Sequence, residues 1–468
     1  MRTQREVTLP LAVQRDADAP LPDQLVSQLR TLLAQGVLRP GDVLPSTRAL
    51  ASHLGISRGS VVTAYDQLLA EGWFDGAAGR STTVNPRLHE VHPNEAAGPL
   101  VPPQPRPQES PQGVIDLRPG QPMQSGVVGP AWRAAWRRAA DAPVDVGMPA
   151  LGWPPLRAAI ADHLRRMRAV VRPPDQVAIT AGGREGLALL LTATRARSVG
   201  VEDPGFPSLR RVLTGAGVDV RPLPVDAHGL VTATLPHDPP DLIVVTPSHQ
   251  YPLGGSLPID RRQQLLAWAS ARGVLVVEDD YDSELRYTSA PLPALTALDA
   301  AGRVALLGTF AKTLTPALAT GYLVVPPQLV DAVTQARSHV GQPVNLVTQR
   351  AVADYLASGA LGRHTQRMRN LYRRRRAQVV RALRDLPDVR VYPMDGGLHA
   401  VVEHDRPEAS VIQALAERGV AVSALSDYWA GRGSRRGLVF GFGGPSDADL
   451  AAGLATIRDV LSSEDPVI

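Results

Sequence analysis

One lysine is the residue of this sequence with the most specific chemistry. The chain of 468 residues has 49 basic side chains, and every one except Lys312 is an arginine. Arginine keeps its charge at any working pH, whereas a lysine amine can lose a proton and condense with an aldehyde. Chance survival in an arginine-biased composition is the alternative. We predict Lys312 as a catalytic residue that condenses with an aldehyde, because other segments of the chain supply the groups that would bind such a ligand.

Those segments lie at the ends of short apolar runs that predict buried strands. Asp279 closes the run 274–279 and can keep a pyridine nitrogen protonated, and Tyr281 can bond a ring hydroxyl. The run 177–180 leads into a predicted helix start whose backbone amides can hold a phosphate, at Gly182, Gly183 and Arg184. Phe206 can stack on a flat ring. Together these are the functions that a protein provides for pyridoxal 5'-phosphate (PLP), so we predict a PLP pocket.

The N-terminal part predicts a winged helix-turn-helix. Apolar spacing indicates a helix over 22–34, Ser46 can cap a second helix over 47–54 that Gly55 closes, and Ser57 can cap a third that runs to about residue 70. Residues 72–84, with three glycines among them, read as a two-stranded wing. The alternative is a helical adaptor that binds no nucleic acid.

In a helix-turn-helix the second helix enters the major groove with its N-terminus first. The candidate DNA-binding residues are Arg48, Ser57, Arg58, Ser60 and Arg80. Residues 1–84 carry eight arginines and eight acidic residues, so we expect DNA affinity to come from the placement of these side chains rather than from net charge.

Composition divides the chain into three parts. We predict a DNA-binding domain at 15–84, a linker at 85–113 that holds eight prolines, and an α/β domain at 114–468 with a smaller α+β subdomain from about 350. In the large domain, five apolar runs predict strands of a mainly parallel sheet: 177–180, 199–202, 242–246, 274–278 and 304–307.

Several motifs match known families. Residues 39–48 (RPGDVLPSTR), 50–58 (LASHLGISR) and 64–72 (AYDQLLAEG) resemble the GntR family of transcription regulators. Residues 246–254 (TPSHQYPLG), 278–284 (EDDYDSE), 396–399 (GGLH) and 438–442 (LVFGF) resemble the MocR subfamily, in which a GntR module is fused to a fold-type I aminotransferase-like domain. The resemblance runs from about Pro20 to Ile457.

This resemblance implies roles for individual residues. It implies Lys312 as the lysine that forms the Schiff base with PLP, Asp279 as the pyridine partner, Tyr281 beside the ring oxygen and Thr309 near the phosphate. It further implies a head-to-tail homodimer whose DNA-binding modules contact two half-sites of a double-stranded operator.

The sequence also departs from the subfamily pattern. Ala311 stands where a serine usually precedes the lysine, and Ala319 stands where an arginine usually clamps the phosphate. Phe206 replaces the usual tyrosine, and residues 144–153 lack another tyrosine that the pattern has. The strand 438–442 has no arginine to hold a substrate carboxylate. Loss of one charged donor weakens binding roughly tenfold to hundredfold, so we expect PLP binding to be weakened and transamination to be impaired.

We therefore predict a DNA-binding regulator whose large domain binds PLP and serves for dimerisation and effector sensing. The effector would be PLP itself or a small amine or amino acid, and at most a residual transamination half-reaction would remain. One alternative is a working aminotransferase. Another is a regulator whose degenerate pocket no longer binds PLP.

Other features exclude some classes of protein. The chain has no cysteine, so we expect neither disulfides nor a thiolate metal site, and we predict no metal. The N-terminus does not read as a signal peptide and no apolar run could cross a membrane, so we expect a cytoplasmic protein. The arginine-rich segment 363–384 has apolar residues on one helical face, and we interpret it as one long helix with a solvated basic side rather than as a DNA-binding element.

Overall fold

The structure is a computed structural model, and it describes residues 9–76, 81–88, 113–124, 126–143, 147–287, 293–431, 433 and 435–463. These residues fall into two compact units, one within 1–108 and the other within 109–468. Residues 89–112 of the predicted linker lie outside the described residues. None of the described helices has both the length and the apolar composition that a bilayer crossing requires.

The N-terminal unit is the predicted winged helix-turn-helix. Its elements are α1 (Leu21–Ala34), α2 (Thr47–Leu54), α3 (Arg58–Ala70), β1 (Phe74–Asp75) and β2 (Thr83–Val84). Ser46 and Ser57 cap α2 and α3 through their side chains, and Gly55 ends α2 with a φ of 63°, as local sequence predicts. The two strands pair antiparallel and form the wing.

An extended segment before α1 completes the core of this unit. Leu9 and Leu11 are buried against the three helices. Gln28 binds both polar groups of the Ala12 backbone, accepting from its N–H at 3.0 Å and donating to its carbonyl at 2.6 Å. Gln24 pairs with Gln14 in the same way, at 2.9 Å for each bond. Two glutamines of α1 thus satisfy the backbone of the extended segment as a neighbouring strand would.

The large unit has the predicted α/β class. Its helices are α4 (Pro130–Asp141), α5 (Pro154–Arg168), α6 (Gly183–Thr194), α7 (Pro207–Gly215), α8 (Ile259–Arg272), α9 (Leu295–Leu298), α10 (Val330–Val340), α11 (Leu346–Ala357), α12 (Ala360–Ala382), α13 (Glu408–Glu417) and α14 (Asp447–Ser462). Its strands are β3 (Ile115–Asp116), β4 (Val177–Thr180), β5 (Ser198–Asp203), β6 (Asp219–Asp226), β7 (Gly229–Leu230), β8 (Leu242–Val245), β9 (Leu275–Asp280), β10 (Val304–Thr309), β11 (Gly321–Val324), β12 (Val389–Val391), β13 (His399–His404), β14 (Val420–Ala421), β15 (Ser423–Ala424) and β16 (Gly437–Gly441).

The main sheet has the strand order β4-β11-β10-β9-β8-β5-β6-β7. The pairs from β10 through β9, β8 and β5 to β6 are parallel, and all five predicted strands are present. Strand β11 runs antiparallel to both of its neighbours. The carboxyl ends of the parallel strands therefore meet at one edge, which is where α/β proteins bind ligands.

A smaller α+β part follows, also as predicted. Strands β12, β13, β16 and β15 form an antiparallel sheet, and α12, α13 and α14 contribute to the same apolar core. Strand β3 pairs in parallel with β14, so the segment 114–124, which follows the predicted linker in sequence, is bound to this smaller part.

The arginine-rich segment forms the predicted long helix α12, but its basic side is not solvated throughout. Arg375 is fully buried, where it contacts Asp447 at 2.7 Å and donates to the carbonyl of Gly443 at 2.8 Å. Arg376 donates to the carbonyl of Met394 at 2.5 Å. The prediction was wrong for these two residues because helical periodicity does not show that the start of α14, the residues after β16 and the loop after β12 contact this side of the helix.

Candidate functional site

The ends of the strands enclose one cavity of about 320 Å³ in the large unit, within the range typical of small-molecule sites. Asp279 lies near the end of β9, Thr309 ends β10, and the loop after β4 leads to α6. All eight residues predicted to bind a cofactor line this cavity: Gly182, Gly183, Arg184, Phe206, Asp279, Tyr281, Thr309 and Lys312. Chain folding thus brings together residues that lie more than a hundred positions apart.

Lys312 lies in the loop after β10, and its Nζ donates a hydrogen bond to the carbonyl of Gly120 at 2.8 Å. Burial lowers the pKa of the Lys312 amine, while the carboxylates of Asp282 and Asp279 oppose that shift. A lowered pKa raises the fraction of neutral amine, which is the form that attacks a carbonyl group.

Asp279 is a buried carboxyl whose pKa is raised to about 7, mainly by burial and further by Asp280 and Asp282. A second buried carboxyl, Glu202 on β5, also has its pKa raised to about 7 by burial, and it accepts a hydrogen bond from the Thr246 hydroxyl. A cationic ligand group next to Asp279 would favour the ionised carboxylate, as a pyridinium nitrogen would.

Tyr281 lines the cavity, and its hydroxyl belongs to a polar cluster with His249 and Asp282. It donates to the carbonyl of His249 at 3.0 Å and is also 3.0 Å from His249 Nδ1, which lies 2.8 Å from Asp282 Oδ2. His249, Asp282 and the cavity-lining Tyr251 were not predicted as site residues. Two of them lie in the segment 246–254, whose motif was the available signal.

The start of α6 forms another part of the cavity lining. Gly182 has a φ of 97°, no side chain caps the helix, and apart from the adjoining chain no atom lies within 4 Å of where a Cβ would stand at Gly182 or Gly183. The first amides of a helix have no intrahelical acceptor, so this open end can bind an anion. Glu185 accepts from the Ala181 amide at 3.0 Å and is held by Arg337 at 2.6 Å, which neutralises its charge.

The two alanines that depart from the subfamily pattern, Ala311 and Ala319, also line the cavity. Ala319 has a left-handed φ of 44°. Phe206 is 37% exposed and meets the ring of Tyr251 edge-on, with ring centroids 5.1 Å apart. The amine, the buried carboxyl, the aromatic rings and the open helix start fit a PLP molecule, although phosphate donors at 311 and 319 are missing.

The candidate DNA-binding residues lie on the N-terminal unit. Arg48 is exposed on α2, and Arg58 is exposed at the first residue of α3, where its Nε donates to Thr47 Oγ1 at 3.3 Å. Ser57 accepts from the Ser60 amide at 3.1 Å, and their hydroxyls are 2.8 Å apart, so Ser57 has a capping role. Arg80 lies outside the described residues.

Comparison with known proteins identifies both units. Residues 21–84 match the gntR family of bacterial regulatory proteins, and residues 112–436 match the class I and II aminotransferases. The chain belongs to the MocR-type GntR family of transcriptional regulators.

Relatives match over nearly the whole chain. The pyridoxine biosynthesis transcriptional regulator PdxR of Corynebacterium glutamicum is 49% identical over 97% of this chain and 99% of its own length. MocR of Rhizobium meliloti is 34% identical over 96% of each chain. The kynurenine aminotransferase of Pyrococcus horikoshii has the same fold as the large unit, with a TM-score of 0.68, 24% identity, and coverage of 75% of this chain and 91% of its own.

Proposed function

We propose that this protein binds operator DNA through its N-terminal unit and binds PLP in the large unit as a signal rather than as a cofactor for turnover. The observation that carries the proposal is the convergence of Lys312, Asp279 and the open start of α6 on one cavity. A bound PLP would supply an aldehyde to the lysine amine and a protonated pyridine ring to the carboxylate.

The residues of the chain divide these tasks. Lys312 holds the ligand covalently, and its lowered pKa favours the reactive neutral amine. Asp279 carries a proton up to about pH 7 without ligand and ionises when it faces a pyridinium nitrogen. Gly182 and Gly183 hold the phosphate through their amides, and Thr309 and Arg184 contribute at the same end. Phe206 stacks on the ring, and Tyr281 lies beside the ring oxygen.

The lining of the cavity favours sensing over transamination. Among the described residues that line it, Arg184 is the only arginine, and it lies at the phosphate end. No second guanidinium is therefore available there for the carboxylate of an amino-acid substrate. That a similar regulator is named for pyridoxine biosynthesis supports PLP itself as the signal.

The bond from Lys312 to Gly120 provides a route from the pocket towards the linker. Gly120 lies in the segment 114–124, which follows the predicted linker and pairs with the smaller part of the large unit through β3. If the Lys312 nitrogen formed a double bond to a ligand, it would keep at most one proton and a fixed planar geometry, so we expect its hydrogen bond to Gly120 to weaken or break. We propose that this change, in a homodimer, alters the placement of the two DNA-binding units.

The proposal is tested by the visible spectrum of the purified protein during titration with PLP. We expect the absorbance band of lysine-bound PLP in the wild type and its complete loss in Lys312→Ala. Saturating PLP should also change the affinity of the wild type, but not of Lys312→Ala, for a DNA duplex selected by the protein from a random-sequence pool.

Two results would contradict the proposal. The absence of the band at saturating PLP would mean that the pocket no longer binds the cofactor. Sustained turnover of an amino donor and an oxo-acid acceptor would instead make the large unit an aminotransferase.

A further inference from the structure

We infer that the guanidinium of Arg184 supplies the positive charge for the ligand's phosphate that Ala319 cannot supply. The inference rests on the proposed binding of PLP, and it assigns the Arg184 side chain a role beyond that of its backbone amide. It would make the phosphate site of this chain a rearranged site rather than a lost one.

The charged residues that line the cavity indicate which side chain could meet the phosphate. The described residues that line the cavity include two with a basic side chain, Arg184 and Lys312, and one with a carboxyl group, Asp279. A phosphate monoester carries between about 1.5 and 2 negative charges at neutral pH. The start of a helix offsets only about half a charge, and Lys312 is committed to the ligand's aldehyde. Arg184 is the remaining cation.

The start of α6 leaves Arg184 available for this role. In the described part of the chain, no hydrogen bond or ion pair occupies its guanidinium, and Arg184 is both exposed and part of the cavity lining. The adjacent Glu185 does not neutralise it, because Arg337 holds Glu185 with bonds of 2.6 and 3.0 Å. The charge of Arg184 is therefore free to meet an anion at the helix start.

Two neighbouring arginines are already bonded to other residues of the protein. Arg337 is buried against Glu185, and Arg210 donates to the carbonyls of Tyr428 and Asp427 at 3.0 and 3.1 Å. Ala319 faces the same cavity, but its side chain ends at Cβ. A long cationic side chain at 184 can thus approach the phosphate from α6. A cationic side chain at 319 would instead approach it from the segment that leads into β11.

The test compares PLP with pyridoxal, which has the same ring and aldehyde but no phosphate. Binding of both is measured by absorbance titration of the full chain. In Arg184→Gln we expect the affinity for PLP to fall roughly tenfold to hundredfold and the affinity for pyridoxal to stay unchanged. Arg184→Lys should keep most of the preference for PLP. The matched control is Arg211→Gln, at an exposed arginine of α7 that does not line the cavity.

A second variant keeps the test decisive if Arg184→Gln folds poorly. Ala319→Arg should raise the preference for PLP in the wild type and restore it in the Arg184→Gln background. Equal preference for PLP in Arg184→Gln and wild type would overturn the role of Arg184 while leaving PLP binding intact. Absence of any absorbance band in the wild type would instead overturn the proposed function.

Discussion

The two candidate sites of this protein differ in how they are built. The described DNA-binding candidates lie between residues 48 and 60 on two adjacent helices, and most of their hydrogen bonds join neighbours in sequence. The cofactor pocket draws on residues from Pro119 to Thr320, and it contains buried groups whose pKa values are shifted. A local site of the first kind depends on capping and helix periodicity, whereas a site of the second kind depends on strand order.

The stability of the large unit should depend on contacts between segments that are distant in sequence, and two adjacent arginines of α12 can test this. Arg375→Ala removes a buried guanidinium and leaves the carbonyls of Phe442 and Gly443 without their donor. We expect the free energy of unfolding of the large unit to fall by about 3 kcal/mol. The control Arg374→Ala removes an exposed arginine and should change it by less than about 0.5 kcal/mol. Denaturant unfolding measures both, and equal stabilities would contradict the burial of Arg375.

Asp279 should make the stability of the ligand-free pocket depend on pH. Its pKa is near 4 in the unfolded chain and about 7 in the folded protein. Between these values the folded state binds more protons than the unfolded state, so this group's contribution to stability falls as pH rises. Asp279→Asn removes that loss, and we expect the variant to gain on the order of 2 kcal/mol over the wild type between pH 5 and pH 8.

Thermal unfolding of both ligand-free proteins across this pH range measures the effect. Glu202 has a pKa of about 7 as well and still titrates in the variant, so the relevant quantity is the difference between the two proteins at each pH. A difference that does not change with pH would mean that Asp279 is already ionised in the folded protein.

Arg58 should contribute to DNA binding independently of the cofactor pocket. Arg58→Ala removes an exposed cation at the start of α3, and we expect the affinity for the selected DNA duplex to fall roughly tenfold, or about 1.4 kcal/mol. The PLP absorbance band should not change. Arg30→Ala is the control, because Arg30 is paired with Glu71 on the surface. Equal losses in the two variants would point to net charge instead of placement.

Much of the fold was predictable because its signals are local. Ser46, Gly55 and Ser57 mark the ends of helices, and apolar runs of four to six residues mark the central strands. The placement of Lys312 and Asp279 in one cavity was also predictable, because both lie at the ends of predicted buried strands and parallel strands end at the same edge of a sheet.

Other features depend on tertiary contacts that no local pattern records. The burial of Arg375 requires Asp447 and Gly443, which lie about seventy residues away. The cluster of His249, Asp282 and Tyr281 depends on the pairing of β8 with β9. The bond between Lys312 and Gly120 joins residues 192 positions apart, and neither residue predicts the other.

The pairing of Gln24 and Gln28 with the backbone of Gln14 and Ala12 has a practical consequence for work on the isolated DNA-binding unit. The family match begins at residue 21, so a fragment cut there would lose the extended segment together with Leu9 and Leu11. It would expose an apolar groove and leave two amide side chains facing solvent. An expression fragment should therefore begin upstream of residue 9, and an N-terminal tag should be kept away from that groove by a spacer.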